Sequence, residues 1–335
     1  MSRILLTGGT GYIGSHTAVE LISQGHTVEI LDNLYNSKID VLNEIEKITG
    51  VRPRFYRVNL MDREGLERVF SANQYDIVIH FAGLKAVGES VAKPLFYYGN
   101  NIGGTVNLLD SMMRHGVRRL VFSSSATVYG DQDGVKLTEE SPVGVGITNP
   151  YGQTKYMIEQ ILRDVVVARP DFSVTCLRYF NPVGAHGSGL IGENPNDIPN
   201  NLMPVIMKVA SGEIKELSIF GGDYETPDGT GMRDFIHVVD LAKGHVVAIN
   251  AMKHGVNVYN LGTGKATSVM EMVKMFERVS GQELPVKVVE RRPGDLAVVY
   301  ADPSKAEREL GWKAELSIED AMRDTINYLR KQGKM

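Results

Sequence analysis

Short apolar runs and longer segments of helical periodicity alternate through the first 180 residues. Arg3-Ile4-Leu5-Leu6-Thr7 reads as a buried strand, a helical stretch then reaches Leu21 and Ile22, and a second strand from Thr27 to Leu31 ends at Asp32. Arg54 to Val58, Asp76 to Phe81, Arg119 to Phe122 and Ser173 to Tyr179 continue the series of strands. Helices are expected between them over Arg63 to Ser71, over Asn101 to His115 and after Tyr151, where Tyr156, Met157, Ile158, Ile161, Leu162, Val165 and Val166 recur at helical spacing. Such βα alternation calls for a doubly wound parallel sheet, a Rossmann-like α/β fold. Beyond Asn181 the pattern loosens into Gly-, Pro- and Asn-rich segments, notably Gly184 to Asn201, and shorter elements. That stretch reads as a smaller C-terminal α/β domain packed over the strand ends. The expected division is 1–180 and 181–335, with 236–262 returning to the first domain.

Composition narrows the chemistry. At 335 residues and 43% hydrophobic the chain can bury two cores. A formal net charge of −4 and the absence of any Lys/Arg block argue against nucleic acid as a partner. No run is long enough to span a membrane, and the first apolar run is too short for a signal peptide. Cys176, the one cysteine, cannot form an internal disulfide, which fits a reducing cytoplasm. The eight histidines show no paired ligand spacing, so no metal site is expected.

Candidate chemistry begins at the first turn. Gly8-x-x-Gly11-x-x-Gly14 between strand and helix is a variant of the dinucleotide fingerprint, with the helix N-terminus facing the phosphates. Asp32 ends the next strand, where a carboxylate accepts from ribose hydroxyls and repels a 2′-phosphate, so NAD is expected rather than NADP. A second candidate is Tyr151-x-x-x-Lys155, two residues one turn apart on one helix face. A phenol has a pKa near ~10, and a neighbouring ammonium that lowers it yields a base able to take a proton from a hydroxyl. The same spacing also occurs on ordinary surface helices. What distinguishes it here is company: Gly8, Asp32, Phe81 to Gly83, Ser125 and Asn181 all fall at the carboxyl ends of expected strands, where parallel sheets bind ligands.

Seven segments then carry a resemblance: 7–16, 81–90, 122–130, 150–155, 178–185, 199–204 and 233–242. Together they resemble the UDP-glucose 4-epimerases, a family of extended short-chain dehydrogenases/reductases, and the likeness runs through nearly the whole chain. It implies tightly held NAD, a UDP-sugar substrate, interconversion of UDP-glucose and UDP-galactose by transient oxidation at C4, and a homodimer formed by the helices at 101–115 and after Tyr151. Tyr151 resembles the family's base, Lys155 the residue that lowers its pKa and holds the nicotinamide ribose, and Ser125 the donor to the C4 hydroxyl. The cofactor residues that the resemblance implies are Gly8, Gly11, Tyr12, Ile13, Gly14, Asp32, Asn33, Asn36, Ser37, Asn59, Leu60, Phe81, Ala82, Gly83, Lys85, Asn100 and Phe180. Where many members place an acid beside the adenine, this chain has Asn59, whose side-chain oxygen can still accept from the adenine amino group.

For the substrate the resemblance implies Asn181, Asn201, Leu202, Phe220, Arg233, Arg292, Asp295 and Val299 beside Ser125 and Tyr151. Arg233 and Arg292 would hold the diphosphate, a task suited to their planar forks, and Asp295 the uridine ribose. In the family a tyrosine at the position of Val299 is associated with exclusion of an N-acetyl group. Here the tyrosine is displaced to Tyr300, so UDP-N-acetylgalactosamine and UDP-N-acetylglucosamine are expected to fit as well; alternatively, Val298 to Tyr300 is a plain strand and another residue closes the pocket. Two rival functions remain in view. A sugar-nucleotide 4,6-dehydratase or reductase shares the fold and the base, but dehydratases resemble one another in carrying Asp-Glu after the serine, and this chain has Ala126 and Thr127. A non-catalytic NAD-binding sensor would have no need of Ser125, Tyr151 and Lys155 together.

Overall fold

In the computed structural model, residues 1–196, 201–292 and 294–335 are described. Part of the expected 184–201 loop, the first two residues of the 199–204 segment, and Pro293 lie outside the described residues.

The chain begins β1 (Arg3–Thr7), α1 (Tyr12–Ser23), β2 (Thr27–Asp32), α2 (Val41–Thr49), β3 (Arg54–Arg57), α3 (Arg63–Ala72) and β4 (Ile77–His80). Two short helices follow, α4 (Val87–Ala92) and α5 (Pro94–Tyr97), then a π-helical turn (Tyr98–Gly103) that runs into α6 (Gly104–Arg114). Next come β5 (Arg119–Ser125), a 3-10 turn (Ala126–Tyr129), β6 (Lys136–Leu137), α7 (Pro150–Ala168), β7 (Ser173–Tyr179) and β8 (Asn181–Val183). The remainder is α8 (Leu202–Ala210), β9 (Leu217–Phe220), β10 (Met232–Arg233), β11 (Phe235–His237), α9 (Val238–Asn250), β12 (Gly255–Leu261), β13 (Thr267–Ser268), α10 (Val269–Ser280), β14 (Val286–Val289), β15 (Val298–Ala301), α11 (Ser304–Leu310) and α12 (Ile318–Lys331).

The main sheet has seven strands in the order β12-β7-β5-β4-β1-β2-β3, every pair parallel. Winding proceeds outward from β1 through β2 to β3, then restarts at β4 and proceeds the other way, so the order reverses between β1 and β4. Such a reversal opens a crevice at the carboxyl ends. Both faces are covered. Ala18, Val19 and Ile22 of α1 meet Leu241, Val246 and Ile249 of α9 on one side, while Leu66 and Phe70 of α3, Leu108 and Met112 of α6 and Ile158 and Leu162 of α7 cover the other. The last strand to join, β12, comes from residues beyond 250 and pairs in register with β7, Gly255 beside Ser173 and Leu261 beside Tyr179. A further core gathers Ile206 and Met207 of α8, Leu217 and Ile219 of β9, Phe276 of α10 and Met322, Ile326 and Leu329 of α12.

The doubly wound fold expected from the alternation is the fold observed, with local differences. β5 extends through the serines to Ser125, because Ser123 and Ser124 are buried and paired in register with Leu177 and Arg178. The helix expected from Asn101 begins instead with the π turn. That wider turn directs Asn101 inward, where its side chain accepts from Leu84 N (2.8 Å) and donates to Leu84 O (3.0 Å) and Thr154 Oγ1 (3.1 Å). α2 was not expected at all, being nine residues long with only Leu42 and Ile45 buried.

Candidate active site

A cavity of ≈ 680 Å³ opens at the reversal point of the sheet. The β1–α1 turn forms its floor. Gly8 has φ 71°, and a Cβ there would lie 2.6 Å from Ala82 N of the β4 loop; a Cβ on Gly14 would lie 2.5 Å from Gly8 O. Side chains are therefore excluded where backbone must approach backbone, and the N-terminus of α1 is left open for an anion. Gly11, Tyr12 and Ile13 line the same cavity. Tyr12 Oη donates to Gly184 O (2.6 Å), which ties the glycine turn to the segment after β8.

Asp32 organises the next wall. Its carboxylate accepts from Thr10 N (3.2 Å), Leu34 N (2.9 Å) and Ser37 Oγ (3.2 Å), and it stands beside Asn33, Asn36 and Ser37 on the cavity surface. Asn59 and Leu60 follow β3, and Phe81, Ala82, Gly83, Lys85 and Asn100 follow β4, all lining the same space. Asn59 Oδ1 accepts from Met61 N (2.9 Å); an amide oxygen has a second lone pair, so it can still accept from an adenine amino group. Phe180 stands apart from these: it is 4% exposed and packs with Val128, Tyr129, Leu137 and Ala301, outside the cavity lining. A narrow glycine floor, a helix N-terminus and a carboxylate at the second strand end fit a dinucleotide.

Tyr151 and Lys155 project into the cavity from the first turns of α7. That helix starts where it does because Asn149 caps it, accepting from Gly152 N at 2.8 Å, with Pro150 at the first helical position. Lys155 is 6% exposed; its Nζ donates to Ser123 O (2.5 Å), lies 4.9 Å from the Phe122 ring centre and 5.9 Å from that of Tyr151. Burial lowers its pKa to about 8, with Glu159 acting in the opposite sense. Burial raises the pKa of the Tyr151 phenol, and a hydrogen bond with Ser125 and the charge of Lys85 oppose this. Ser125 is placed for that bond because its Oγ accepts from Thr127 N (3.2 Å) and Thr127 Oγ1 (3.0 Å), leaving its own proton to donate.

A second group of implied residues gathers away from the glycine floor. Arg233 is held in parallel register with Val299, and both arginines bracket Asp295: Arg292 Nε donates to it at 2.9 Å, and Arg233 Nη2 lies 4.0 Å away. The Arg292 guanidinium lies 4.8 Å from the Phe220 ring centre. Burial holds the pKa of Arg233 below its usual value, opposed by Asp295. Asn181 opens β8, its N bonded to Asp234 O, and Asn201 stands at the N-cap position of α8, ahead of Leu202, without a side-chain cap bond. Val299 packs on the cluster that holds Phe180, as does Ala126, the residue after Ser125.

Among the buried acids that escaped the reading of the sequence are Asp234 and Glu193. Asp234 receives Thr263 N (2.8 Å), Gly264 N (2.9 Å) and Ala301 N (3.2 Å), and so fixes the backbone behind Arg233. Glu193 is 7% exposed and joins Lys85 to Asn201 across the cavity rim. Asp234 sits inside one of the resembling segments, but Glu193 lies in an aperiodic loop that gives no signal of its own.

Residues 4–262 match the NAD dependent epimerase/dehydratase family. The chain is 57% identical to a UDP-glucose 4-epimerase of Bacillus subtilis over 327 residues, 97% of this chain and 96% of the relative. Its structure is similar to that of a UDP-glucose 4-epimerase from Bifidobacterium longum in complex with NAD+ and UDP, with a TM-score of 0.96, 54% identity and 99% of each chain covered. It is also similar to the UDP-Glc/GlcNAc 4-epimerase of Campylobacter jejuni, with a TM-score of 0.85, 34% identity, and 99% of this chain and 100% of that one covered.

Proposed function

Because the chain belongs to the NAD dependent epimerase/dehydratase family, we infer that it is an isomerase that interconverts UDP-glucose and UDP-galactose at C4 of the sugar. The observation that carries this reading is that Tyr151 and Lys155, one helical turn apart on α7, line the same cavity as the glycine turn and Asp32. Gly8, Gly11, Gly14 and Asp32, with the walls contributed by Asn33 to Ser37, Asn59, Leu60 and Phe81 to Lys85, would hold NAD. Bound there, NAD supplies the hydride acceptor and donor. The chain's own part is proton handling and positioning. Tyr151, as phenolate, takes the C4 hydroxyl proton and returns it after the sugar has presented its other face; Ser125 donates to the C4 oxygen and keeps it in line. Lys155 holds the nicotinamide ribose and supports the phenolate. Arg233 and Arg292 bind the diphosphate, Asp295 the uridine ribose, and Asn181, Asn201, Leu202 and Phe220 complete the nucleotide and sugar contacts.

The reading divides the chain into an NAD domain, 1–180 with 236–262, and a UDP-sugar domain formed by the rest. It includes UDP-N-acetylhexosamines as substrates, supported by valine at position 299 and by the likeness to the Campylobacter jejuni enzyme. It places the protein in the cytoplasm as a homodimer joined through α6 and α7, supported by the exposed Val106 (42%) and Met157 (39%) on those helices. Dehydration is not favoured: Thr127 donates to Ser125 where a dehydratase would need an acid. Incubation of the purified protein with UDP-galactose, without added NAD, tests the reading. Formation of UDP-glucose is expected; its absence from protein that carries NAD would contradict it.

A further inference from the structure

The segment 184–196, which follows β8, is bonded to three loops that wall the cavity. It starts at the glycine turn, where Tyr12 Oη donates to Gly184 O at 2.6 Å. A short hairpin comes next: Ala185 and Gly192 pair as an antiparallel bridge, and His186 N donates to Ile191 O at 3.0 Å. Its turn is pinned to α12, with Asn327 Nδ2 donating to Gly187 O (2.9 Å) and Lys331 Nζ to Ser188 O (2.6 Å). Ile191 is buried in the main core. The hairpin is therefore fixed, and what leaves it is an arm, Glu193 to Asn196.

The arm spans the cavity. Glu193 Oε1 accepts from Lys85 Nζ at 2.9 Å, in the loop after β4. Asn196 meets the loop after β2, its N donating to Asn36 Oδ1 at 2.8 Å and its Nδ2 to Ser37 O at 3.4 Å. In the sheet, β4 and β2 lie on either side of β1. An arm bonded to both of their loops crosses the glycine turn that follows β1. Glu193, Asn194 and Pro195 accordingly line the cavity that this turn floors.

We propose that the arm from Glu193 to Asn196 is a clasp over bound NAD, and that the cofactor leaves only when the arm parts from Lys85 and from the loop of Asn36 and Ser37. The inference rests on NAD occupying this cavity. A dinucleotide with its phosphates at the N-terminus of α1 would lie between the glycine turn and the arm. Because the hairpin is buried and pinned, opening has to occur at the arm's bonds to the two loops. Of these, the bond from Lys85 is charge-assisted and falls on a carboxylate that is itself buried, so it is the strongest hold. Retention serves the chemistry. A sugar oxidised at C4 can be reduced again only by the cofactor that oxidised it, still in place.

Exchange of bound NAD measures release directly: holoenzyme is mixed with excess isotopically labelled NAD, and bound label is followed in time. Glu193→Ala should exchange about tenfold faster than the unmodified protein. Lys85 and Asn36 line the cavity too, so loss of the clasp has to be told from a change in their own contacts with NAD. Asn36→Cys/Asn196→Cys makes that distinction, because one protein can be studied with the arm locked and with it free. When oxidised, a disulfide joins arm to loop where the hydrogen bond now does; when reduced, it does not. Cys176, the one native cysteine, is buried and does not compete. Exchange in the oxidised form should be slower by about tenfold or more than in the same protein after reduction. Equal rates in the two forms, with the disulfide confirmed by mass, overturn the proposal, as does an unchanged rate in Glu193→Ala. If the disulfide does not form, Glu193→Ala decides; if Glu193→Ala does not fold, the cysteine pair decides. Failure of the underlying reading looks different, since an unmodified protein that neither carries NAD nor takes up the label has no cofactor for a clasp to hold.

Discussion

Glu159 and Arg178 form an ion pair directly behind the site, 2.7 Å apart and each 1% exposed. Glu159 lies one turn beyond Lys155 on α7, and Arg178 belongs to β7, so the pair ties that helix to the sheet. Ser124 donates to the same carboxylate, and Arg178 donates to Tyr129 Oη at 3.0 Å. Removing one partner strands a charge in the core. Glu159→Gln should therefore lower unfolding stability by about 3–5 kcal/mol, whereas Glu159→Leu/Arg178→Met should recover most of that loss. Denaturant unfolding measures both; equal stability of Glu159→Gln and the unmodified protein would contradict this account of how α7 is anchored.

Lys155 contributes a cost to folding that depends on pH. Its pKa falls from 10.5 to about 8 on burial, so at neutral pH the folded state keeps a desolvated charge that the unfolded chain leaves in water. A depressed lysine pKa destabilises below the folded value, and the penalty is relieved as pH rises from about 8 past 10.5, where the unfolded chain too loses the proton. At ~1.4 kcal/mol per unit the effect is on the order of 3 kcal/mol, before the lost bond to Ser123 is counted. Lys155→Met should accordingly be more stable than the unmodified protein at pH 7 and lose that advantage above pH 10.5. A difference that is constant with pH would show that Lys155 is not desolvated.

Much of the architecture was legible in the chain because the main sheet is wound from short apolar strands separated by helices, and its glycine turn has a fixed spacing. The boundaries that shifted did so for tertiary reasons. β5 continues through Ser123 and Ser124 since β7 supplies register partners there, and the π turn before α6 forms where Asn101 satisfies Leu84. In the site, the residues on the cavity floor were readable from their order, but the electrostatics were not. Sequence spacing pointed to Lys155 as the cation beside Tyr151, and its Nζ lies 5.9 Å from that ring centre, whereas the burial that raises the phenol's pKa and the pairing of Lys85 with Glu193 come only from the fold.

Val299 should set how large a substituent fits at C2. Its isopropyl group packs on the cluster with Phe180, where a ring and hydroxyl would occupy more space. Val299→Tyr should suppress turnover of UDP-N-acetylgalactosamine far more than that of UDP-galactose, since a steric block discriminates more strongly than a small change in apolar contact. The ratio of the two kcat/KM values reports it. No turnover of the acetamido substrate by the unmodified protein would contradict the assignment.

Dimer formation through α6 and α7 should be visible in mass. Val106 and Met157 present apolar surface on the two helices, and Val167 is 82% exposed near the end of α7. Light scattering at micromolar concentration should return twice the mass of the chain, and charged substitution at Val106 and Met157 together should halve it. A monomer in the unmodified protein would refute this pairing.

The central claim is that the Tyr151 phenol carries the C4 proton. Tyr151→Phe removes one oxygen from the base and leaves the glycine floor, Asp32 and the arginines untouched, so NAD content and UDP binding should remain while turnover of UDP-galactose falls by several orders of magnitude. Turnover measured on Tyr151→Phe with NAD confirmed in the same sample is the direct test. A rate within about tenfold of the unmodified enzyme would contradict the account.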